Sequence, residues 1–209
     1  MKIKVCGLKD DENIKAVTAL RPDYMGFIFY GPSPRFVGKL PAQILDNIPP
    51  YIEKTAVFVN ENAEIINELI NQYNFDIVQL HGGESPEFCA LFKNKITVFK
   101  AFGISSDFDF EQLKEYANSV DFFLFDAKTE IYGGSGETFD WAILDKYKLN
   151  VPFFLSGGIG PDNIEEVKNI SHPQFYGIDL NSKFETIPGI KNIEKLEQAF
   201  KTIKQTLCK

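Results

Sequence analysis

Short apolar segments alternate with longer amphipathic segments from one end of the chain to the other. The apolar segments are brief and almost continuously hydrophobic, which is typical of parallel strands buried on both faces of a sheet. They predict eight strands, at Ile3–Cys6, Tyr24–Phe29, Thr55–Val59, Ile77–Leu80, Thr97–Ala101, Phe122–Phe125, Phe153–Leu155 and Phe175–Ile178.

The segments between these strands carry hydrophobic residues at intervals of three and four positions, which indicates helices. Gly160 and Pro161 are a suitable N-cap and first residue for the helix that follows the seventh strand. The predicted helices lie near Asn13–Leu20, Gln43–Ile48, Ile65–Tyr73, Pro86–Phe92, Glu111–Tyr116, Trp141–Tyr147, Ile164–Ile170 and Ile193–Leu207.

Eight strand–helix units of about 26 residues each predict an α/β fold, a (β/α)8 TIM barrel near the lower size limit of that fold. An open, doubly wound sheet is the alternative, but a chain of this length would then show about five or six strands. No linker or break in composition divides the sequence. We therefore expect residues 1–209 to form a single domain.

The composition narrows the choice of partners. A net charge of -7 argues against binding nucleic acid, although one Arg and a few backbone N–H groups suffice to hold a small anion. Cys6, Cys89 and Cys208 are far apart, and the chain has only 2 His, so we expect no metal site and no disulfide framework. The sequence shows no signal peptide and no membrane-spanning run, which predicts a reduced, cytoplasmic protein. It leaves open whether the protein is a monomer or a homodimer.

The reactive side chains of a parallel barrel come from the carboxyl ends of its strands and the loops that follow them. Cys6 ends the first strand and Asp126 follows the sixth, so a thiol and a carboxyl group can face one ligand across the barrel mouth. That pair is a base and an acid, the minimum for moving a proton within a sugar. The structural alternatives are a small buried cysteine, and a carboxylate that caps a helix or pairs with Lys128.

Three glycine-rich segments occur, at 82–83, 133–136 and 157–160. Gly157 and Gly158 follow the seventh strand and precede a predicted helix, where barrels commonly bind phosphate through backbone N–H groups. A plain tight turn is the alternative. The segment 133–136 follows the sixth strand and is better interpreted as a lid over the site.

Four further polar residues stand at the same end of the predicted barrel. Arg35 is either a solvated charge or a fork for a carboxylate. Gln79 and His81, at the end of the fourth strand, are either satisfied structural groups or substrate ligands, and Asp179 stands at the end of the eighth.

These strand ends resemble those of the phosphoribosylanthranilate isomerases. The start Lys-Val-Cys-Gly and the block Gly-Gly-Ser-Gly-x-Thr-Phe-Asp-Trp carry most of the specificity. The matching segments span nearly the whole chain, at 4–8, 26–29, 57–60, 79–82, 125–129, 132–136, 138–141 and 155–159.

The resemblance implies an Amadori rearrangement of N-(5-phosphoribosyl)anthranilate in tryptophan biosynthesis, without a cofactor. It implies that Asp126 protonates the ribose ring oxygen and that the Cys6 thiolate removes the proton from the second ribose carbon. Arg35 would hold the anthranilate carboxylate and Asp179 would contact the substrate, as would Gln79 and His81. For these roles the site should lower the pKa of Cys6, and desolvation should raise the pKa of Asp126.

One segment departs from the family pattern. After the eighth strand many members have Ser-Ser-Gly, whereas this chain has Asn181-Ser182-Lys183. Ser182 and Lys183 remain expected phosphate contacts, Lys183 through its backbone N–H or through its ammonium group if that turns inward. The related isomerase of histidine biosynthesis is disfavoured because that family has Asp where Cys6 stands and is built from two matching halves. A non-catalytic phosphate-binding barrel is disfavoured because both proton-transfer residues are present.

Overall fold

Eight parallel strands close into a barrel in chain order, which confirms the predicted fold class. The computed structural model describes residues 1–40, 42–127 and 139–204. The prediction that residues 1–209 form one domain stays a prediction. The barrel strands are β1 (Lys2–Cys6), β2 (Tyr24–Ile28), β3 (Glu53–Phe58), β4 (Ile77–Leu80), β5 (Thr97–Ile104), β6 (Phe122–Ala127), β7 (Phe153–Leu155) and β8 (Phe175–Leu180).

Within the described ranges, five α-helices pack outside the barrel, close to their predicted positions. Side chains cap three of them, because an N-cap oxygen satisfies a backbone N–H that has no partner within the helix. The N-cap side chains of Asp10, Asn62 and Ser85 accept from the first turns of the helices that follow them directly. None of the described helices has the length and apolarity needed to cross a membrane. The helices are α1 (Asp11–Ala19), α2 (Ala42–Asp46), α3 (Ala63–Tyr73), α4 (Pro86–Ala90) and α5 (Ile193–Lys204).

The connections after β5, β6 and β7 contain 3-10 helices, at Phe110–Tyr116, Trp141–Lys146 and Glu166–Asn169. Each lies at a predicted helix position, but the third begins at Glu166, so the predicted N-cap at Gly160 is wrong. The Asn163 side chain accepts from the Gly160 N–H at 2.8 Å and donates to the Gly158 carbonyl at 3.1 Å. Such local side-chain bonds compete with helix formation. The glycine loop after β7 therefore leads into turns and not into an α-helix.

A hairpin after β8 was absent from the prediction. It consists of β9 (Glu185–Ile187) and β10 (Ile190–Lys191), which pair antiparallel. Gly189 makes the turn with a φ of +89°, a conformation that favours glycine. The Asn13 side chain bonds both the N–H and the carbonyl of Lys191, at 2.8 and 2.9 Å. These bonds fix the hairpin against α1.

Aromatic and aliphatic side chains fill the barrel interior below the carboxyl ends of the strands. The Phe154 ring lies 5.1 Å from the Phe99 ring and 5.3 Å from the Tyr24 ring, measured between centroids. The interior is thus a packed core and not a pore, as is usual for this fold. It forms a floor beneath the polar strand ends. The buried members of this cluster are Tyr24, Ile77, Phe99, Ala101, Leu124 and Phe154.

Candidate active site

A cavity opens at the carboxyl ends of the barrel strands. It encloses about 690 Å³ of empty space including its open mouth, a size suited to a small ligand. Most of the predicted site residues line it: Cys6, Gln79, His81, Asp126, Gly157, Gly158, Asp179 and Ser182. Arg35 and Lys183 do not. The strand-end rule therefore brings the proposed acid and base to one cavity.

Cys6 ends β1 with its thiol packed against the backbone of β2. A Cβ atom on Gly26 would lie 2.6 Å from the Cys6 Sγ, so only glycine leaves room for the sulfur. The side chain is buried, and burial raises the pKa of Cys6, whereas the nearby Lys4 charge acts to lower it. The direction is opposite to the one predicted, since desolvation of a thiolate outweighs its cations here.

Asp126, the proposed acid, is the next-to-last residue of β6. Its Oδ1 accepts from the Ala127 N–H at 2.9 Å, and its Oδ2 lies 3.4 Å from His81 Nε2. The alternative partner Lys128 lies outside the described residues. The carboxyl group keeps 17% side-chain exposure. It therefore reaches the cavity while remaining anchored to its own strand.

Gln79 sets the tautomer of His81. The amide nitrogen of Gln79 lies 2.9 Å from His81 Nδ1. An amide NH2 group only donates, so Nδ1 must accept, and in the neutral ring Nε2 carries the hydrogen. That hydrogen faces Asp126. The other end of the amide, Gln79 Oε1, is buried without a hydrogen-bond partner among the described residues.

Glu84 holds the loop that follows His81. Its carboxylate accepts from the N–H groups of Gly82 and Asn60, and it lies 3.1 Å from Lys100 Nζ. All these bonds satisfy one buried charge, whose desolvation would otherwise be costly. The fixed carboxylate thus holds the chain beside His81 in place. In the sequence, the signal for the pair of Lys100 and Glu84 was a lysine within the otherwise apolar β5.

Asp179 is the next-to-last residue of β8, beside β1, where Lys4 is its partner in the strand register. Lys4 Nζ donates to Asp179 Oδ2 at 2.8 Å, and the two side chains are 0% and 5% exposed. Asp179 Oδ1 has no partner in the described part of the chain, although Asp179 lines the cavity. Burial raises the pKa of Asp179, and the Lys4 charge opposes that effect. One carboxylate oxygen is thus left to accept from a ligand.

Gly157 and Gly158 have φ values of +81° and +66°. A Cβ atom on Gly157 would lie 2.3 Å from the Ala127 nitrogen and 2.7 Å from Asp126 Oδ1, so the close approach to β6 requires glycine. No acceptor among the described residues takes up the N–H of either glycine. Adjacent free N–H groups of this kind form an anion-binding concavity.

Ser182 and Lys183 belong to a short 3-10 helix, Ser182–Phe184, after β8. Ser182 lines the cavity, whereas the Lys183 side chain packs against Gly160 and is exposed. The ammonium group therefore does not turn into the cavity.

Across the described ranges, no group of three or more His, Cys, Asp or Glu side chains is arranged to hold a metal ion.

Arg35 is buried and bound by Glu185 from the hairpin. Its Nε lies 3.0 Å from Glu185 Oε1, and its Nη2 lies 2.8 Å from Oε2. Lys191 Nζ donates to the same carboxylate at 2.8 Å. The alternative of a solvated Arg35 is therefore wrong, and the predicted fork already holds a carboxylate of the chain itself. Lys4, Glu185 and Lys191 were not predicted from the sequence. Isolated charges such as Glu185 and Lys191 resemble surface residues, whereas the position of Lys4 within a buried strand was an available signal.

The proposed lid at Gly133–Gly136 lies outside the described residues, as does Thr138 of the family block.

Comparison with known proteins identifies the family of this chain. The family model described as N-(5'phosphoribosyl)anthranilate (PRA) isomerase matches residues 3–202. An N-(5'-phosphoribosyl)anthranilate isomerase of Parabacteroides distasonis is 48% identical, over 97% of this chain and 93% of that protein.

Solved structures give the same result. The phosphoribosyl anthranilate isomerase of Thermus thermophilus superposes with a TM-score of 0.85 at 27% identity, covering 99% of this chain and 100% of that one. A second isomerase structure was solved in complex with reduced 1-(o-carboxyphenylamino)-1-deoxyribulose 5-phosphate. It gives a TM-score of 0.81 at 28% identity, covering 98% of this chain and 99% of that one. From its barrel, its strand-end residues and its full-length relatives, this chain belongs to the phosphoribosylanthranilate isomerase family.

Proposed function

We propose that this member of the family rearranges N-(5-phosphoribosyl)anthranilate to 1-(2-carboxyphenylamino)-1-deoxyribulose 5-phosphate with Asp126 as general acid and Cys6 as general base. Asp126 gives its proton to the ribose ring oxygen while the bond from that oxygen to the first ribose carbon breaks. The nitrogen lone pair forms an iminium at that carbon. The Cys6 thiolate then takes the proton from the second carbon, and the electron pair neutralises the iminium as an enolamine, which tautomerises to the ketose.

The observation that carries this proposal is the position of both residues on one cavity. Cys6 comes from the end of β1 and Asp126 from β6, and both line the opening at the carboxyl end of the barrel. The iminium makes the adjacent C–H acidic, so a thiolate is a sufficient base once formed. The His81 Nε2–H that faces Asp126 supports the carboxylate after it has released its proton.

Two unpartnered acceptors in the same cavity suit a ribose. Gln79 Oε1 and Asp179 Oδ1 are both buried and lack a hydrogen-bond partner among the described residues. A buried acceptor without a donor costs free energy, and a sugar hydroxyl would supply the donor. We assign these two side chains, together with His81, to substrate binding.

The phosphate is assigned to the loop after β7. Gly157 and Gly158 offer N–H groups, Ser182 offers a hydroxyl and a backbone N–H from the facing loop, and Lys183 is assigned only through its backbone N–H. The nearby turn at Asn163 means that these donors act without an α-helix behind them.

Gly157→Ala tests the phosphate assignment. We expect kcat/KM to fall at least about tenfold, because the added Cβ would displace the loop from Ala127 and misplacement of a binding group by about 1 Å is costly. Competitive inhibition by inorganic phosphate should weaken in parallel. Gly31→Ala is the matched control, since its Cβ would meet no atom within 4 Å. Unchanged inhibition by phosphate in Gly157→Ala would place the phosphate elsewhere.

The anthranilate carboxylate is assigned to Arg35. Glu185 occupies the Nε and Nη2 edge of the guanidinium, so the substrate would bind through Nη1. Glu185 then orients the fork and is not displaced.

A small anionic substrate is the proposed partner, with no nucleic acid or membrane involved. The cytoplasmic location and the choice between monomer and homodimer stay predictions. A catalytic thiolate requires reducing surroundings, which supports the cytoplasmic location.

The direct test follows the loss of phosphoribosylanthranilate fluorescence with the purified full chain in the presence of excess EDTA. We expect turnover at the same rate with and without the chelator, because every proposed proton transfer uses a side chain. No loss of fluorescence in either condition would refute the proposed reaction. Activity that disappears with EDTA and returns on addition of a divalent metal would refute the acid–base assignment alone.

A further inference from the structure

We propose that Lys4 is a positioning residue that stabilises the thiolate form of Cys6, an inference that rests on the proposed role of Cys6 as the base. Lys4 does not line the cavity and touches no reacting atom. It acts from beneath, through its charge and its bond to Asp179.

The first support is the strand geometry. Lys4 and Cys6 are two positions apart on β1, so their side chains leave the same face of the strand. Lys4 is fully buried in the barrel, beneath Cys6 on that face, and its ammonium donates to Asp179 Oδ2 at 2.8 Å. A buried ammonium is expensive to desolvate, and it persists only where anions face it. Asp179 is one such anion, and the Cys6 thiolate would be a second.

The second support is the balance of buried charge around the sulfur. Three charged groups act electrostatically on Cys6: Lys4 from β1, Asp179 from β8 and Lys191 from β10. Lys191 bonds Glu185, which in turn binds Arg35. These five side chains are all nearly buried, and they comprise three cations against two carboxylates. The excess of one positive charge is balanced when Cys6 is a thiolate.

Lys4 is better suited than Lys191 to supply that charge. Burial acts to lower the pKa of Lys4, but Asp179 and Cys6 outweigh it and the pKa is raised. Burial lowers the pKa of Lys191 despite the Glu185 carboxylate. Lys191 also gives a hydrogen bond to Asn181 at 2.7 Å. Lys191 is thus engaged by Glu185 and Asn181, and Lys4 is the cation placed on the same strand face as the sulfur.

The experiment measures the rate of Cys6 alkylation by iodoacetamide against pH in the full chain. The Cys6 peptide is read by mass spectrometry, so that Cys89 and Cys208 do not interfere. Lys4→Met removes the charge, and Lys4→Arg keeps it. Lys100→Met is the matched control, because Lys100 is an equally buried strand lysine paired with Glu84 and does not face Cys6.

We expect Lys4→Met to raise the apparent pKa of alkylation by about one to three pH units, since an opposite charge at this range shifts a pKa by that amount. Lys4→Arg should stay close to wild type, and Lys100→Met should leave the Cys6 profile unchanged. In turnover, the acid limb of kcat/KM should move to higher pH in Lys4→Met while KM changes little. The loss at pH 7 should be about ten- to a thousandfold, tenfold for each unit of the shift, with recovery at higher pH.

An alkylation profile in Lys4→Met that matches wild type would overturn the proposal, as would an equal loss of activity at every pH. If Lys4→Met does not fold, Lys4→Gln replaces it, because the amide still donates to Asp179 without a charge, and the same rise is expected. Alkylation is measured without turnover. An active Cys6→Ala variant would therefore refute Cys6 as the base while leaving the Lys4 result interpretable.

Discussion

Cys6→Ala is expected to lower kcat by about 10²–10⁴-fold, the usual contribution of a positioned general base. The methyl group cannot take the proton from the second ribose carbon, and water would have to do so. The fold should survive, because alanine removes only the sulfur, which fills the space beside Gly26. Fluorescence turnover gives kcat, and far-UV circular dichroism with a thermal melt confirms folding.

Cys89→Ala is the matched control for this prediction. Cys89 is another free, buried cysteine, but it lies on α4 outside the barrel. Burial raises the pKa of Cys89 to about 11, so it stays a thiol at neutral pH. Its replacement should cost some stability and leave kcat close to wild type. Near-wild-type turnover in Cys6→Ala, with Cys89→Ala behaving as expected, would remove the thiol from the mechanism.

The barrel was predictable because its strands are buried on both faces and its connections are amphipathic. That signal depends only on which residues meet water, and it located every barrel strand, including the three-residue β7. It does not distinguish an α-helix from a 3-10 helix. At 161–169 the deciding factor was one side chain, Asn163, which bonds backbone groups that a helix would need.

The hairpin escaped prediction for a different reason. Its strands are short, and the pattern of β9 is mostly exposed, so it lacks the apolar run by which buried strands are recognised. Its stability comes from contacts distant in sequence, such as the bonds of Asn13 to Lys191. A single sequence does not reveal such pairings.

The candidate site, like the fold, could be predicted from the sequence only in part. The strand-end rule placed Cys6, Asp126 and Asp179 on one cavity, because topology alone fixes where parallel strands end. It did not reveal that Glu185 binds Arg35, nor that the thiol would be so thoroughly desolvated. The first depends on how the segment after β8 folds back over the barrel, and the second on how closely the thiol packs against β2. Lys4 had a signal of its own, since a lysine between two apolar residues of a buried strand must find an anion.

Asp126→Asn is expected to lower kcat by about 10²–10⁴-fold, comparable to the loss for Cys6→Ala. The amide has nearly the same shape, and its oxygen can still accept from the Ala127 N–H, so the strand end and the cavity should keep their geometry. It has no proton of suitable acidity to give to the ribose ring oxygen. KM should therefore change little while the ring-opening step slows.

Asp121→Asn gives the comparison needed to interpret that loss. Asp121 directly precedes β6 at the opposite end of the same strand, where it pairs with Lys93 and accepts from the Val98 N–H. Its replacement should weaken the fold slightly and leave kcat close to wild type.

A substrate analogue that already has an open chain should separate the role of Asp126 in ring opening from that of Cys6 in proton removal. Asp126→Asn should process it much better, relative to wild type, than it processes the cyclic substrate, whereas Cys6→Ala should remain impaired on both. Equal losses on both substrates in Asp126→Asn would show that Asp126 does not act in ring opening.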